Sequence, residues 1–352
     1  MDKIECLTFS ESMSLYCESV AHEMPYIAVN GYHKKLFIIE LDEIGENEAA
    51  NTFLKNQMLL TKQHLESIFT HSICALIVIS KDECYTKSYA KKFIFVANQM
   101  GGEFIGHPLV ERVKDHLNFK TWAKVIDESL ETIEKMQITK LIERLATYTF
   151  LAKNEMKILV LHAGHKGISN TLMLWDLIKE RLVLKHNASL SIEELHVEEG
   201  QITDCYGCKF ETCSYYSLEK SCFYGGFVVE SLFPMIEQAD IVVWICPNYN
   251  DSVSAKLMAV INRLTALYRK ISFQDKYILG IVVSGNSGND SVSGQIIGAL
   301  NINKGFRLPP YFVSMAIAND PGDILHVENI DERIDDYVNF VYELTNKNMS
   351  EI

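Results

Sequence analysis

Two stretches of the sequence carry residues whose types and spacing could do chemistry. The first is Met156–Thr171, MKILVLHAGHKGISNT. Four apolar residues, Ile158 to Leu161, run into a small polar turn of Ala163, Gly164, His165, Lys166 and Gly167. Ser169, Asn170 and Thr171 then open an amphipathic run through Leu172, Trp175, Ile178 and Leu182. A buried strand, a glycine-containing turn and a hydroxyl-rich helix start make an anion site, because the first-turn N–H groups and the helix dipole both favour negative charge there. Ser169 and Thr171 can add hydroxyls and Lys166 a charge, so the stretch reads as a phosphate-binding loop. It is neither a Gly-Lys-Ser/Thr phosphate loop nor GxGxxG, and an ordinary strand–helix turn capped by Ser169 is the competing reading.

The second stretch holds Cys205, Cys208, Cys213 and Cys222, spaced C-x2-C-x4-C-x8-C. Soft thiolates select iron–sulfur clusters or zinc. Zinc sites usually show two tight pairs, and only Cys205/Cys208 forms one here. Gly207 between them lets the backbone fold tightly around a metal. Structural zinc, plain thiols and a redox disulfide remain alternatives. Cys246, at the end of an apolar run, reads as a packing residue, and so do Cys6, Cys17, Cys74 and Cys84.

Composition bounds what these residues can serve. The chain has 352 residues, long enough for two domains, and 48% are hydrophobic, which argues against wholesale disorder. Its formal charge of −13, from 33 basic and 46 acidic residues, speaks against nucleic acid as a partner. Apolar runs such as Ile73–Ile79 fall short of the ~20 residues of a membrane helix, and the N-terminus lacks a signal-peptide layout. A cytoplasmic protein with thiols or a metal site is the expectation.

The elements that position the two stretches alternate along the chain. In residues 1–155 we expect strands at Cys6–Phe9, Leu36–Leu41 and Ile73–Ile79. Helices are expected at Ser12–His22, Glu48–Phe69 (Phe53, Leu60, Leu65 and Ile68 inward), Thr86–Met100 and Asp127–Leu151. In residues 156–352, after the first strand and helix, strands are expected at Ile192–Val197, Ile241–Cys246, Tyr277–Ser284 and Tyr311–Ala316. Helices fall at Val228–Gln238, Ser254–Arg269, Val292–Leu300 and Ile334–Leu344. Five strands alternating with helices specify an α/β doubly wound five-stranded parallel sheet, with the loops after its first, third and fourth strands on the ligand-binding edge.

Together these residues resemble the NAD(P)H-dependent FMN reductase and iron–sulfur flavoprotein group of the flavodoxin-like superfamily, over Met156–Asn346. The family's phosphate loop is similar to Ala163–Thr171, with Gly164, His165 and Lys166 in the turn and Ser169, Asn170 and Thr171 kept. Its second loop is matched by Pro247, Asn248, Tyr249, Asn250, Ser252 and Ser254, with Lys256 nearby and Asn262-Arg263 in place of the family's Asp-Arg. Its third, glycine-containing loop falls at Ser284, Gly285 and Gly288. The iron–sulfur members also carry a compact cysteine run after the second strand, spaced C-x2-C-x2-C; the wider gaps here depart from it.

The resemblance implies an enzyme that binds FMN, takes hydride from NAD(P)H and passes electrons to a quinone, a small oxidant or a [4Fe–4S] cluster on Cys205, Cys208, Cys213 and Cys222. Zinc or no metal at the cysteines remains open, as do an electron carrier without nicotinamide turnover and a non-enzymatic zinc- or thiol-stabilised binding protein. It implies FMN phosphate on the first loop, Tyr249 against the flavin ring, loop amides on the pyrimidine edge and a homo-oligomer (dimer or tetramer). Residues 1–155 form an α/β domain with no role assigned. Ala75–Met100 resembles Asp240–Leu264 in pattern, which suggests a degenerate flavodoxin-like copy without a cofactor.

Overall fold

The computed structural model describes residues 3–349 except 11, 152, 154, 187–189 and 199. The chain divides into two compact units, Met1–Phe150 and Leu151–Ile352. Among the described residues no helix is long and apolar enough to cross a membrane.

The first unit runs β1 (Glu5–Phe9), α1 (Ser14–Glu23), β2 (His33–Leu41), α2 (Glu48–Lys62), β3 (Ser72–Ser80), α3 (Thr86–Asn98), β4 (Gly102–Arg112), α4 (Lys120–Ile126) and α5 (Leu130–Ala146). The second runs β5 (Lys157–His162), α6 (Asn170–Lys185), β6 (Ser191–His196), α7 (Phe210–Ser217), α8 (Phe233–Gln238), β7 (Ile241–Pro247), α9 (Ala255–Tyr268), β8 (Tyr277–Ser284), α10 (Asn289–Ile296), β9 (Val313–Ile317) and α11 (Ile330–Met349).

The second unit is a parallel sheet in the order β6-β5-β7-β8-β9, the flavodoxin-like arrangement with its switch between the first and third strands. β7 and β8 are buried along their whole length, because helices cover both faces of such a sheet. On one face Ile158 and Val160, Ile241, Val243 and Ile245, and Leu279 and Ile281 pack with Trp175 and Ile178 of α6 and Ile334 and Val341 of α11. Burying one such side chain contributes ~1.5–3 kcal/mol, so this core fixes the strand ends that carry the loops.

The first unit is a parallel sheet in the order β1-β2-β3-β4. One face packs Leu36, Ile38, Ile73, Ala75 and Ile77 against Cys17 and Ala21 of α1 and Ile138, Leu141 and Ile142 of α5. The other carries Phe37 against Phe69 and Phe93. The two sheets differ in order, yet removing edge strand β6 from the second leaves β5-β7-β8-β9, the same succession as the first. The first and last helices share a face in each unit. The different strand order counts against the internal copy expected from Ala75–Met100 and Asp240–Leu264; what the units share is the succession of four parallel strands. The repeat seen in sequence is displaced by one strand: the topological counterpart of β7 is β2, not β3.

Other expectations are corrected. The long helix expected to Phe69 stops at Lys62, where His64 takes a left-handed conformation at φ 57°, and Leu65 is exposed. The α5 helix is shorter at both ends than Asp127–Leu151. Strand β4 was not anticipated; its pairing with β3 shifts register between Cys74 and Leu76, and its Glu103 is buried, accepting from the Tyr148 hydroxyl. The segment 228–238 begins as a π turn at Val228–Leu232 before α8. Cys84 is exposed rather than packed.

Candidate functional site

Three loops leave adjacent strands β5, β7 and β8 at their C-terminal ends. In the first, Ser169 is the N-cap of α6 and its hydroxyl accepts from the Leu172 N–H at 3.2 Å. This satisfies one of the four helix-start N–H groups that have no intrahelical acceptor. Gly164 is required by close approach: a β-carbon there would lie 2.9 Å from Ser169 Oγ. Gly167 adopts φ +86° with open space around it, and His165 and Lys166 are exposed. Thr171 is buried. Asn170, expected at the ligand, turns elsewhere: its Nδ2 donates to the carbonyls of Ala318 (3.3 Å) and Asp320 (2.8 Å), and its Oδ1 accepts from Gly322 and Ile324 N–H. It fastens the first loop to the segment after β9.

The second and third loops are built against each other. Tyr249 and Ser252 pair across a tight turn whose centre, Asn250 and Asp251, has φ 54° and 56°. Asn248 Nδ2 donates to Ser284 Oγ (2.9 Å), Ser287 O (2.8 Å) and Asp251 Oδ1 (3.2 Å). Ser284 Oγ in turn donates to Asn289 Oδ1 at 2.5 Å. Gln295 Nε2 and Ser291 Oγ donate to the Asp251 carbonyl. Gly288 allows this closure, and Gly285 lets the third loop approach the segment after β9, where a β-carbon on it would lie 2.7 Å from Asn319 Oδ1. The side chains of Asn248 and Ser284, expected at a ligand, thus bind the loops together. What the loops leave for a ligand is backbone, the exposed ring of Tyr249 and two buried polar atoms without a partner, Asn248 Oδ1 and Ser254 Oγ. Ser254 stands at the N-cap of α9 and makes no cap hydrogen bond.

A histidine group borders the first loop. His162 and His196, paired at the ends of β5 and β6, stack with centroids 4.7 Å apart. Burial, and then the neighbouring His196, hold His162 below the usual imidazole range. Ligand atoms of His165, His196 and Glu198 lie within 4.8 Å of one another. Glu198 also meets Lys256 at 2.5 Å, a hydrogen bond that holds its carboxyl below the usual carboxylate pKa range. Sequence reading missed His196 and Glu198; their position at the end of the strand beside β5 was the available signal.

The four cysteines Cys205, Cys208, Cys213 and Cys222 line one cavity of about 220 Å³ with Tyr216, Tyr224, Arg263 and Arg269. The Cys208 thiol donates to the Tyr224 hydroxyl at 3.8 Å. Desolvation, and then the Cys208 bond, push that phenol up. Among the described residues no three cysteine sulfurs gather within 4.8 Å, as the histidine group does. Four sulfurs at ~2.3 Å from one zinc would be closer together than that.

The geometry defines a class: a flavodoxin-like α/β domain with three loops gathered at its switch edge and a thiol-lined cavity. Residues 156–320 match the NADPH-dependent FMN reductase family, a family of oxidoreductase enzymes; the span is just under half of the chain and lies within the second unit. Similar solved structures include the NAD(P)H:quinone oxidoreductase from Methanothermobacter marburgensis, at 16% identity over 55% of this chain and 96% of that one, TM-score 0.40. Another is an FMN-dependent NADH-azoreductase from Bacillus anthracis str. Ames Ancestor in complex with FMN, at 13% identity over 53% and 99%, TM-score 0.37. No curated protein matches the chain.

Proposed function

We propose that the second unit binds FMN across the loops after β5, β7 and β8, accepts hydride from NAD(P)H and releases electrons to an acceptor. The observation that carries this reading is the anion-ready start of α6 beside two loops already locked together on the same sheet edge. The residues fit the flavin. First-turn N–H groups of α6 and the Lys166 charge suit its phosphate, and open space at Gly167 admits close approach. Ser254 Oγ is a buried polar atom in want of a partner. FMN supplies a two-electron acceptor that can discharge one electron at a time.

The chain's own residues bind, orient and exclude water. Ser169 and the α6 start hold the phosphate end; Tyr249 covers one side of the ring with an apolar face. Amides of the second and third loops meet the pyrimidine edge, and their mutual clamping keeps those dipoles fixed.

The candidate acceptor within the same unit is the cysteine cavity. Its four cysteines ring a space of about 220 Å³, which suits an iron–sulfur cluster ligated by Cys205, Cys208, Cys213 and Cys222, with zinc the alternative occupant. Such a cluster supplies one-electron acceptance.

Anaerobically purified protein, reconstituted with FMN, iron and sulfide, tests both readings. The flavin reading expects a yellow protein bleached by NADPH or NADH and one FMN per chain; protein that takes up no FMN overturns it. The cluster reading expects iron and acid-labile sulfide in equal amount, lost in Cys208→Ser; zinc alone overturns it.

A further inference from the structure

Arg263 lies on α9, facing the cysteine cavity, and is 2% exposed. Two of its nitrogens are used: Nη1 donates to the Thr203 carbonyl at 3.4 Å and Nη2 to the Gly225 carbonyl at 2.7 Å. Its Nε is buried without a partner. Among the described residues no carboxylate lies within ion-pair distance of it. Asp204, next to Cys205, accepts from the Cys205 N–H and the Asn262 amide through Oδ1. Arg269, at the C-cap of α9, also lines the cavity; it stacks on Phe210 at 4.5 Å and reaches Ser214. A third cation, Lys304, is buried near it.

A buried guanidinium without a countercharge is costly, because the protein interior solvates charge poorly. It persists where an anion completes it. Among the described residues the cavity wall carries no carboxylate, so cysteine thiolates are the anions it can supply, and four of them with a bound metal–sulfide core would carry net negative charge. We propose that Arg263 is the countercharge of this thiolate centre, with Arg269 as a second, outer one, and that the pair sets its reduction potential. The inference rests on the cluster reading above. A nearby fixed positive charge stabilises the reduced, more negative state and so raises the potential. The unused Nε–H is the donor left over for a cysteine or core sulfur. Arg263 acts through the centre and is a positioning residue, not a catalytic one.

The test compares reconstituted wild type, Arg263→Gln, Arg263→Lys and Arg269→Gln by iron and sulfide content, by potentiometric titration followed by electron paramagnetic resonance, and by flavin content as a control. Arg263→Gln should keep its flavin and shift the cluster midpoint to more negative potential, or lose cluster by several-fold where the uncompensated thiolates no longer hold it. Arg263→Lys keeps the charge and should stay nearer wild type. Arg269→Gln, which removes no buried backbone bond, should give a smaller shift in the same direction and serves if Arg263→Gln fails to fold. Wild type that binds no iron and sulfide overturns the cluster reading, and this inference with it. Wild type with a cluster, and Arg variants with unchanged midpoint and occupancy, overturn this inference alone.

Discussion

Gly288 lies so close to Asp251 that a β-carbon on it would fall 1.9 Å from Asp251 Oδ1 and 2.7 Å from Asn248 Nδ2. The contact is where the loop after β8 closes on the loop after β7, and φ at Gly288 is +89°. A side chain there meets strain of ~1–3 kcal/mol in the backbone alone and must also part the loops. Gly288→Ala should therefore weaken flavin binding by 10-fold or more, about 1.4 kcal/mol, while far-ultraviolet circular dichroism stays native. Fluorescence quenching on FMN titration reads the affinity.

Ser254→Ala separates packing from binding. The hydroxyl is buried and unpartnered, so its removal relieves desolvation and should leave the apoprotein as stable or more so, by ~1 kcal/mol. If the hydroxyl meets the flavin, FMN affinity should fall by several-fold in the same variant. Thermal melts with and without FMN show both effects; equal losses in the two would assign Ser254 to the fold only.

Asn170→Ala should do the reverse. Its side chain makes four bonds to the segment after β9, and the orphaned buried backbone groups cost ~1–3 kcal/mol each at most. The melting temperature should drop by several degrees. FMN affinity, measured where the variant is folded, should change less than in Gly288→Ala.

The His162–His196 stack makes the second unit sensitive to acid. Burial and the neighbouring ring depress His162 below the ordinary value of 6.5. The unfolded chain thus binds a proton at a pH where the folded chain does not, and stability falls as pH drops below 6.5 and is flat above it for this group. Denaturant titrations followed by tryptophan fluorescence between pH 5 and 8 should show that slope, reduced in His162→Asn.

Much of this was legible because burial on both faces writes strands such as Ile241–Cys246 as unbroken apolar runs. The first-loop turn and the helix start after it were legible for the same local reason. What escaped was tertiary. β4 hides a buried Glu103 that needs Tyr148 to satisfy it. α2 ends at Lys62, two residues before the left-handed His64, with neither glycine nor proline to mark it. The resemblance put Asn248 and Ser284 in the flavin loops, yet their side chains bond one another across 36 positions. Arg263 showed as part of a short motif, and only the fold reveals that its cavity is walled by cysteines.

The four-stranded sheet of the first unit has a consequence for solubility. Without a counterpart of β6, β1 pairs on one side only among the described residues, and its other side is a template on which an extended chain could add. Two features blunt it: β1 is five residues long and half exposed, and Glu5 at its start is tied to Lys35. Lengthening that strand with apolar residues should turn a monodisperse preparation into one that self-associates.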